Sequence, residues 1–131
     1  MNKVVLITGV AGGIGSATAQ AFADVGWHVI GIARRQVDAL PGIHHFINAD
    51  VSDIAAWQRI FAEVANAEGH IDALINNAAI QICKPLVETT PEEWDAVMAT
   101  NVRSAYLAVY HTYPLMREHG GAIVIVSSVH A

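Results

Sequence analysis

Cysteine is nearly absent from this sequence, because Cys83 is the only one in 131 residues. A single thiol cannot form a disulfide within the chain, and this cysteine usage is typical of a reducing compartment. We therefore expect a cytoplasmic protein. Long apolar runs are also lacking, since no stretch of the sequence reaches the roughly 18 uninterrupted apolar residues that a membrane span requires. The sequence thus predicts a soluble protein without a membrane segment.

Basic residues are few: 7 Lys and Arg stand against 12 Asp and Glu, which gives a formal net charge of -5. Binding to nucleic acid is driven by a basic surface, so this balance argues against nucleic acid as the main partner. The negative net charge does not argue against a small ligand that carries a phosphate group.

Linkers, repeats and low-complexity tracts are missing as well. The composition, 53% hydrophobic and 15% charged, suits a compact core. We therefore predict one domain over residues 1–131.

Apolar runs of strand length alternate with segments of helical periodicity. Near-continuous apolarity indicates strands that are buried on both faces, as in a parallel sheet covered by helices. The predicted strands are VVLIT, HVIGIA, HHFINA, DALIN and AIVIVSS. The pattern predicts an α/β fold with a doubly wound parallel sheet of about five strands.

Three helical stripes are expected to pack on this sheet. They consist of Ile14, Ala21, Phe22 and Val25; of Ile54, Trp57, Phe61 and Val64; and of Val102, Tyr106, Val109, Tyr113 and Met116 within a helix over 102–118. A separate helix begins at Pro91 with Thr90 as its cap. The segment RRQVDALPG leaves room for a turn or two of helix at most between strands two and three.

The motif TGVAGGIGSATAQAF, residues 8–22, runs from a strand through a glycine-rich turn into a helix. The N-terminal amides and dipole of such a helix favour a phosphate anion. Gly9 permits the turn, Gly13 lets the backbone approach a pyrophosphate, and Gly15 allows close packing of helix on strand. A glycine turn without a ligand is the alternative interpretation.

These residues resemble a known family. TGVAGGIG matches the T-G-x-x-x-G-x-G pattern of the short-chain dehydrogenases/reductases, and AD, NNAA, NV and IVIVSS follow in the family's order. The resemblance implies a Rossmann-type sheet with strand order 3-2-1-4-5 and covers about the first half of such a protein. It also implies a dinucleotide cofactor on Gly9, Gly13, Ile14 and Gly15.

The choice of cofactor depends on the end of the second strand, where a carboxylate would bind the ribose hydroxyls of NAD. Ala33 occupies that position and Arg34 and Arg35 follow it, so a guanidinium can bind the 2'-phosphate of NADP. We predict NADP, with NAD possible. Arginines that are merely solvated at a strand end are the alternative, and Gly12 departs from the basic or hydroxyl residue of many NADP-preferring relatives.

The resemblance implies further cofactor contacts after the third and fourth strands. Asp50 would bind near the adenine beside Val51, or it would simply cap the next helix. The adenosine and ribose would lie along the NNAA stretch, whose asparagines are alternatively turn residues. That stretch is Asn76, Asn77, Ala78 and Ala79, with alanine where the family commonly has glycine.

The family's reaction is reversible hydride transfer between a nicotinamide and a small carbonyl or alcohol. The resemblance implies that Ser128 hydrogen-bonds the substrate oxygen and that Asn101 supports a water relay; a polar strand terminus is the alternative for Ser128. The family's tyrosine and lysine, four residues apart, are not found here, because the only lysines are Lys3 and Lys84. Tyr113 with Arg117 is not a substitute, since arginine does not replace a ribose-binding lysine.

We therefore expect the cofactor-binding half of a reductase, truncated before its proton donor and inactive by itself. An uncovered sheet edge predicts a homo-oligomer. A non-catalytic nucleotide-binding or assembly module is the second interpretation. No metal site is expected, because adjacent histidines such as His44 and His45 point to opposite faces of a strand.

Overall fold

The computed structural model describes residues 2–38 and 40–129. The ends of the predicted domain, Met1 and residues 130–131, and Ala39 of the short crossover lie outside the described residues. The elements follow in the order β1 (Val4–Thr8), α1 (Gly13–Asp24), β2 (His28–Ala33), β3 (His45–Asn48), α2 (Ile54–Ala67), β4 (Ala73–Asn76), α3 (Pro91–Met98), α4 (Ser104–Thr112) and β5 (Ala122–Ile125). Short 3-10 turns occupy Leu86–Glu88 and Tyr113–Leu115, and a π-helical turn over Ala99–Arg103 joins α3 to α4.

All strand pairs are parallel, and the order in the sheet is β3-β2-β1-β4-β5. The predicted fold is confirmed: this is a Rossmann-type α/β sheet with helices on both faces. Strand residues alternate between two cores because successive side chains point to opposite faces. Val4 and Leu6 pack with Trp57 of α2 and Leu107 of α4, whereas the neighbouring strand residues pack with Ala19 of α1.

The register brings the carboxyl ends of the central strands to one edge. Thr8 of β1 pairs with Ile32 of β2, and Ala33 pairs with Asn48 of β3. In parallel sheets this edge is where ligands bind, at the point where the strand order reverses. Here the reversal lies between β1 and β4, so the loops after these two strands border the predicted crevice.

The crossover from β2 to β3 contains no helix in its described residues, 34–38 and 40–44. A turn replaces it, in which Gly42 adopts φ +82°, and a Cβ at this position would approach Gln20 Cα to 2.9 Å. The sequence predicted a turn or two of helix at most, and the described residues of this crossover stay within that limit.

The predicted helical stripes are wrong at several positions. Ile14 of α1 and Val25, the C-cap that follows it, are 64% and 73% exposed, since α1 buries Gly15 and Ala19 instead. Ile54 is likewise exposed, in the first turn of α2. The contact of each helix with the strands determines which of its faces is turned to the sheet. A stripe of large side chains in the sequence does not reveal that face.

The helix predicted over 102–118 also differs from the structure. It continues from α3 without a break through the π-helical turn, and α4 buries Ser104, Leu107, Ala108 and Thr112. Tyr106 and Tyr113 therefore face outward, at 61% and 58% exposure. Periodicity placed the tyrosines on the buried face, whereas α4 buries Leu107 and smaller residues beside them. Thr90 does cap α3 as predicted, in a capping box with Glu93.

Candidate functional site

The glycine turn after β1 is held in close contact with the loop after β4. Gly9 has φ +73°, and a Cβ built on it would lie 2.8 Å from Ala78 Cα. Its amide donates to Ile32 O of β2 at 2.8 Å. Only glycine combines this left-handed backbone with so close an approach.

The start of α1 is packed against this turn on one side and open on the other. A Cβ on Gly15 would stand 2.1 Å from Gly9 O, so Gly15 has a packing role beneath the turn. A Cβ on Gly13 would meet nothing within 4 Å. Gly12 is the N-cap and brings no side chain to the first amides of α1. Those amides therefore receive no hydrogen bond from a capping side chain, which leaves them available to a phosphate.

One buried hydroxyl joins the two loops. Thr8 Oγ1 accepts hydrogen bonds from the backbone amides of Asn77 and Ala78, each at 3.0 Å. Asn77 Nδ2 donates to Gly9 O at 3.2 Å. The asparagine side chain thus stabilises the glycine turn, and Thr8, the first residue of the TGVAGGIG motif, is a structural member of the site that the sequence pattern did not reveal.

An open cleft of about 430 Å³ lies over these loops at the carboxyl edge of the sheet. Most of the predicted cofactor residues line it, and they come from four separate loops: Gly9, Gly13, Ile14, Arg34, Arg35, Asp50, Val51, Asn77, Ala78 and Ala79. The exposure of Ile14 is explained by this position. A volume of this size suits a small-molecule ligand.

Two predicted cofactor residues are described but lie outside the lining. Gly15 supports the turn from below, and Asn76 is buried in β4 at 7% exposure. Asn76 Nδ2 has no hydrogen-bond partner, while its backbone oxygen accepts from the amide of Val126 at 2.9 Å. The structure therefore gives Asn76 a position within the sheet, behind the cleft surface.

Sequence reasoning missed other lining residues, among them Ala11, Ile32, Ile80 and Thr100. Ile80 follows the NNAA stretch directly and Thr100 precedes Asn101, so adjacency to the motifs was the available signal. Their side chains carry no pattern of their own.

Asp50 organises the loop after β3. Its Oδ1 accepts from the amide and the hydroxyl of Ser52, at 2.9 and 2.7 Å. The cap of α2 is Asp53, whose carboxylate accepts from the amide of Ala55 at 3.1 Å. The alternative in which Asp50 caps that helix is therefore wrong, and the Asp50 side chain sits in a turn that borders the cleft.

The end of β2 presents positive charge to the cleft. Ala33 completes the strand, and the exposed Arg34 and Arg35 follow it along the cleft wall. Among the described lining residues, Asp50 is the only acid. Two guanidinium groups with no carboxylate at the strand end make this part of the cleft suited to a phosphate.

The two predicted catalytic residues also lie outside the lining. Asn101 sits in the π-helical turn, where its Oδ1 accepts from the amide of Ile80 at 2.8 Å and its Nδ2 donates to Ile80 O at 2.9 Å. The side chain thereby fixes the loop after β4 to the helix. Ser128 is exposed and lies three residues beyond the end of β5, at the same edge of the sheet as the cleft.

Displaced pKa values occur at the periphery. Lys84 hydrogen-bonds Glu93 at 2.9 Å and, together with the Thr90 amide, lowers the pKa of that carboxyl. Burial lowers the pKa of His111 on α4, whose ring stacks with Trp57. Neither group lines the cleft.

Within the described ranges, no group of three or more His, Cys, Asp or Glu residues is arranged to hold a metal ion. None of the helices described there is long and apolar enough to cross a membrane.

Known proteins that are similar to this chain share one family. A family model for short chain dehydrogenases matches residues 3–131. Serine 3-dehydrogenase of Rhizobium radiobacter is 32% identical, over 100% of this chain and 55% of its own length. The 3-oxoacyl-[acyl-carrier-protein] reductase of Thermotoga maritima is 36% identical, over 98% of this chain and 56% of its own length. The chain thus spans about half the length of the curated relatives it matches.

Solved structures agree with this assignment. A short-chain dehydrogenase from Streptomyces avermitilis superposes with a TM-score of 0.89 at 33% identity, over 98% of this chain and 50% of that one. A metagenomic short-chain oxidoreductase in complex with NADP gives a TM-score of 0.84 at 31% identity, over 92% of this chain and 59% of that one. Because the family model matches residues 3–131 of this chain, the chain belongs to the short-chain dehydrogenase family. Members of this family are oxidoreductases that bind NAD(P).

Proposed function

We propose that this chain forms the NADP(H)-binding part of an oxidoreductase that interconverts a small carbonyl compound and its alcohol. The observation that carries the choice of cofactor is the pair Arg34 and Arg35 on the cleft wall, directly after Ala33, with no carboxylate at the end of β2. The dinucleotide, when bound, would supply the hydride for reduction of the carbonyl and accept it in oxidation of the alcohol. The residues of this chain bind and orient it.

The cleft has the features that a pyrophosphate needs. The first amides of α1 have no capping side chain, the space at Gly13 is open, and the turn before them is fixed by the contact of Gly9 with Ala78. These amides would hold the pyrophosphate by hydrogen bonds and by the helix dipole. Arg34 or Arg35 would hold the 2'-phosphate bidentately, and Asp50 and Val51 would border the adenine.

The carboxyl edge of the sheet would provide the substrate side. Ser128 would donate a hydrogen bond to the substrate oxygen and stabilise negative charge as it develops there. Asn101 would keep the loop after β4 in place through Ile80, and its backbone lies in the π-helical turn beside the cleft-lining Thr100. Proton exchange in this family depends on a tyrosine and a lysine four residues apart. Residues 1–131 do not include such a pair.

We also propose self-association of the chain. The support is the outer strand β5, where Ile123, Val124 and Ile125 are 46–58% exposed. An apolar, unpaired strand edge favours contact with another chain.

Calorimetric titration of the chain with NADPH and separately with NADH tests the cofactor proposal. We expect tighter binding of NADPH, and we expect Arg34→Ala to weaken NADPH about tenfold with little change for NADH, because one charge-assisted contact contributes about 1.5 kcal/mol. Arg117→Ala is the matched control, since Arg117 is exposed and does not line the cleft. Equal affinity for the two nucleotides, or binding of neither by the folded chain, would overturn the proposal.

A further inference from the structure

Asn48, the last residue of β3, makes an unusual pair of contacts with the end of β2. Its Nδ2 donates to Ala33 O and to Arg34 O, each at 3.0 Å. The two acceptors are consecutive carbonyls, so a single amide group holds the backbone on both sides of the Arg34 nitrogen. Ala33 O also accepts from the amide of Ala49 at 3.0 Å.

This position is where the regular hydrogen bonding of the sheet stops. The pairing of β2 with β3 ends at Ala33 and Asn48, and bends follow at Arg34 and Arg35. Without the side chain of Asn48, the described backbone hydrogen bonds reach Ala33 O but not Arg34 O. The direction in which Arg34 leaves the strand therefore depends on Asn48.

Asn48 is itself held from α2. Arg59 Nη2 donates to Asn48 O at 3.0 Å. The contacts thus run from a helix on one face of the sheet, through the end of β3, to the backbone of Arg34. A residue supported in this way can hold its neighbour in one orientation, and preorganisation of a charged group increases the selectivity of binding.

We propose that Asn48 is a positioning residue for cofactor selection: it fixes the backbone of Arg34 so that the guanidinium meets the 2'-phosphate of NADP. Asn48 would not touch the cofactor. This inference rests on the proposed function. It adds a determinant of specificity on β3, whereas Arg34 and Arg35 follow the neighbouring strand β2.

The test replaces Asn48 by leucine, which has a similar shape and no donor. We expect Asn48→Leu to weaken NADPH and 2',5'-ADP by roughly threefold to tenfold, the effect of one or two hydrogen bonds, and to leave NADH and 5'-AMP within about twofold. Asn66→Leu is the matched control, because Asn66 is an exposed residue of α2 and does not line the cleft. The split between phosphorylated and unphosphorylated nucleotides is a readout that general loosening of the fold would not produce.

Two further variants keep the inference falsifiable. Asn48→Ser is milder for folding and is expected to show the same selective loss. In an Arg34→Ala background, Asn48→Leu should have no further effect on NADPH, because the group it positions is gone. Full preference for NADPH in Asn48→Leu and Asn48→Ser, with Arg34→Ala losing it, would overturn the role of Asn48 alone. Absence of any preference in the unaltered chain would instead overturn the proposed function.

Discussion

Thr8 shows how a single side chain can determine the geometry of this site. Thr8 is 2% exposed, and its hydroxyl oxygen accepts hydrogen bonds from the amides of Asn77 and Ala78, so the loop after β4 is fixed to the end of β1. The same loop contacts Gly9 and borders the cleft. The conformation of the glycine turn therefore depends on a residue that lies beneath it.

Replacement of Thr8 by valine keeps the shape and removes the acceptor. Two partly buried amides would lose their partner, and we expect the free energy of unfolding to fall by about 1 to 3 kcal/mol. Denaturant unfolding measures this change. Thr18→Val is the control, since Thr18 bonds Ile14 O from a more exposed site on α1, and it should change stability by no more than about 0.5 kcal/mol. A similar effect of both changes would contradict the role given to Thr8.

At the scale of single elements, the start of α3 was the best-specified feature. The Thr90 hydroxyl oxygen accepts a hydrogen bond from the amide of Glu93 at 3.1 Å. The Glu93 carboxylate accepts one from the amide of Thr90, also at 3.1 Å. Proline at the first helical position and acidic residues in the first turn add to the same signal. Such capping is local in sequence, so it was readable without the fold.

The stability of this helix start should depend on pH. Lys84, followed by the Thr90 amide, lowers the pKa of Glu93 below its ordinary value of 4.5 in the folded protein. The ionised carboxylate therefore stabilises the fold above the unfolded pKa, and this contribution is lost as the pH falls through the lower folded pKa. We expect Glu93→Gln to be less stable than the unaltered protein at neutral pH, with the difference vanishing in acid.

Urea unfolding of both proteins at a series of pH values from neutral to well below 4.5 checks this expectation. In a Lys84→Met background, Glu93→Gln should lose most of its pH dependence, because Lys84 is the main cause of the shift. A stability difference that stays constant at every pH would rule out the ionisation of Glu93 as its origin.

At the scale of the whole molecule, the sheet is covered unevenly. β1, β2 and β4 are almost entirely buried, whereas every residue of β5, at the opposite end of the sheet from β3, is exposed. The contacts of β5 are mainly with β4, its neighbour in the sheet. An apolar outer strand of this kind is prone to pair with other chains.

We therefore expect the mass of the chain in solution to rise with concentration. Ile125→Lys, which places a charge on β5, should reduce this association, because lysine on an edge strand opposes pairing. Val87→Lys is a charge-matched control at another exposed position, 93% accessible and outside the sheet. Sedimentation velocity over a wide range of concentrations measures the effect. A monomer at all concentrations, or equal effects of the two lysines, would contradict association through β5.

Particular residues show which features of the fold and the site could be predicted from the sequence. The strands, the glycine turn, the short crossover and the cap at Thr90 were predictable, because each depends on composition or spacing within a few residues. Arg34, Arg35 and Asp50 could be placed at the cleft because the carboxyl ends of parallel strands meet at one edge. The same rule did not reveal that Asn76 is buried behind that edge or that Asn101 is bonded to Ile80.

By itself, then, the sequence determined the family, the strand order that the family implies and the charge at the end of β2. The tertiary structure decided which face of each helix is buried, where a π-helical turn joins α3 to α4, and that Thr8 and Asn48 hold the loops of the cleft. The physical reason is distance along the chain: Thr8 bonds residues about 70 positions away, and Asn48 bonds residues 14 and 15 positions away. Contacts between distant segments leave no periodicity to detect, and they arise only when the sheet brings those segments together.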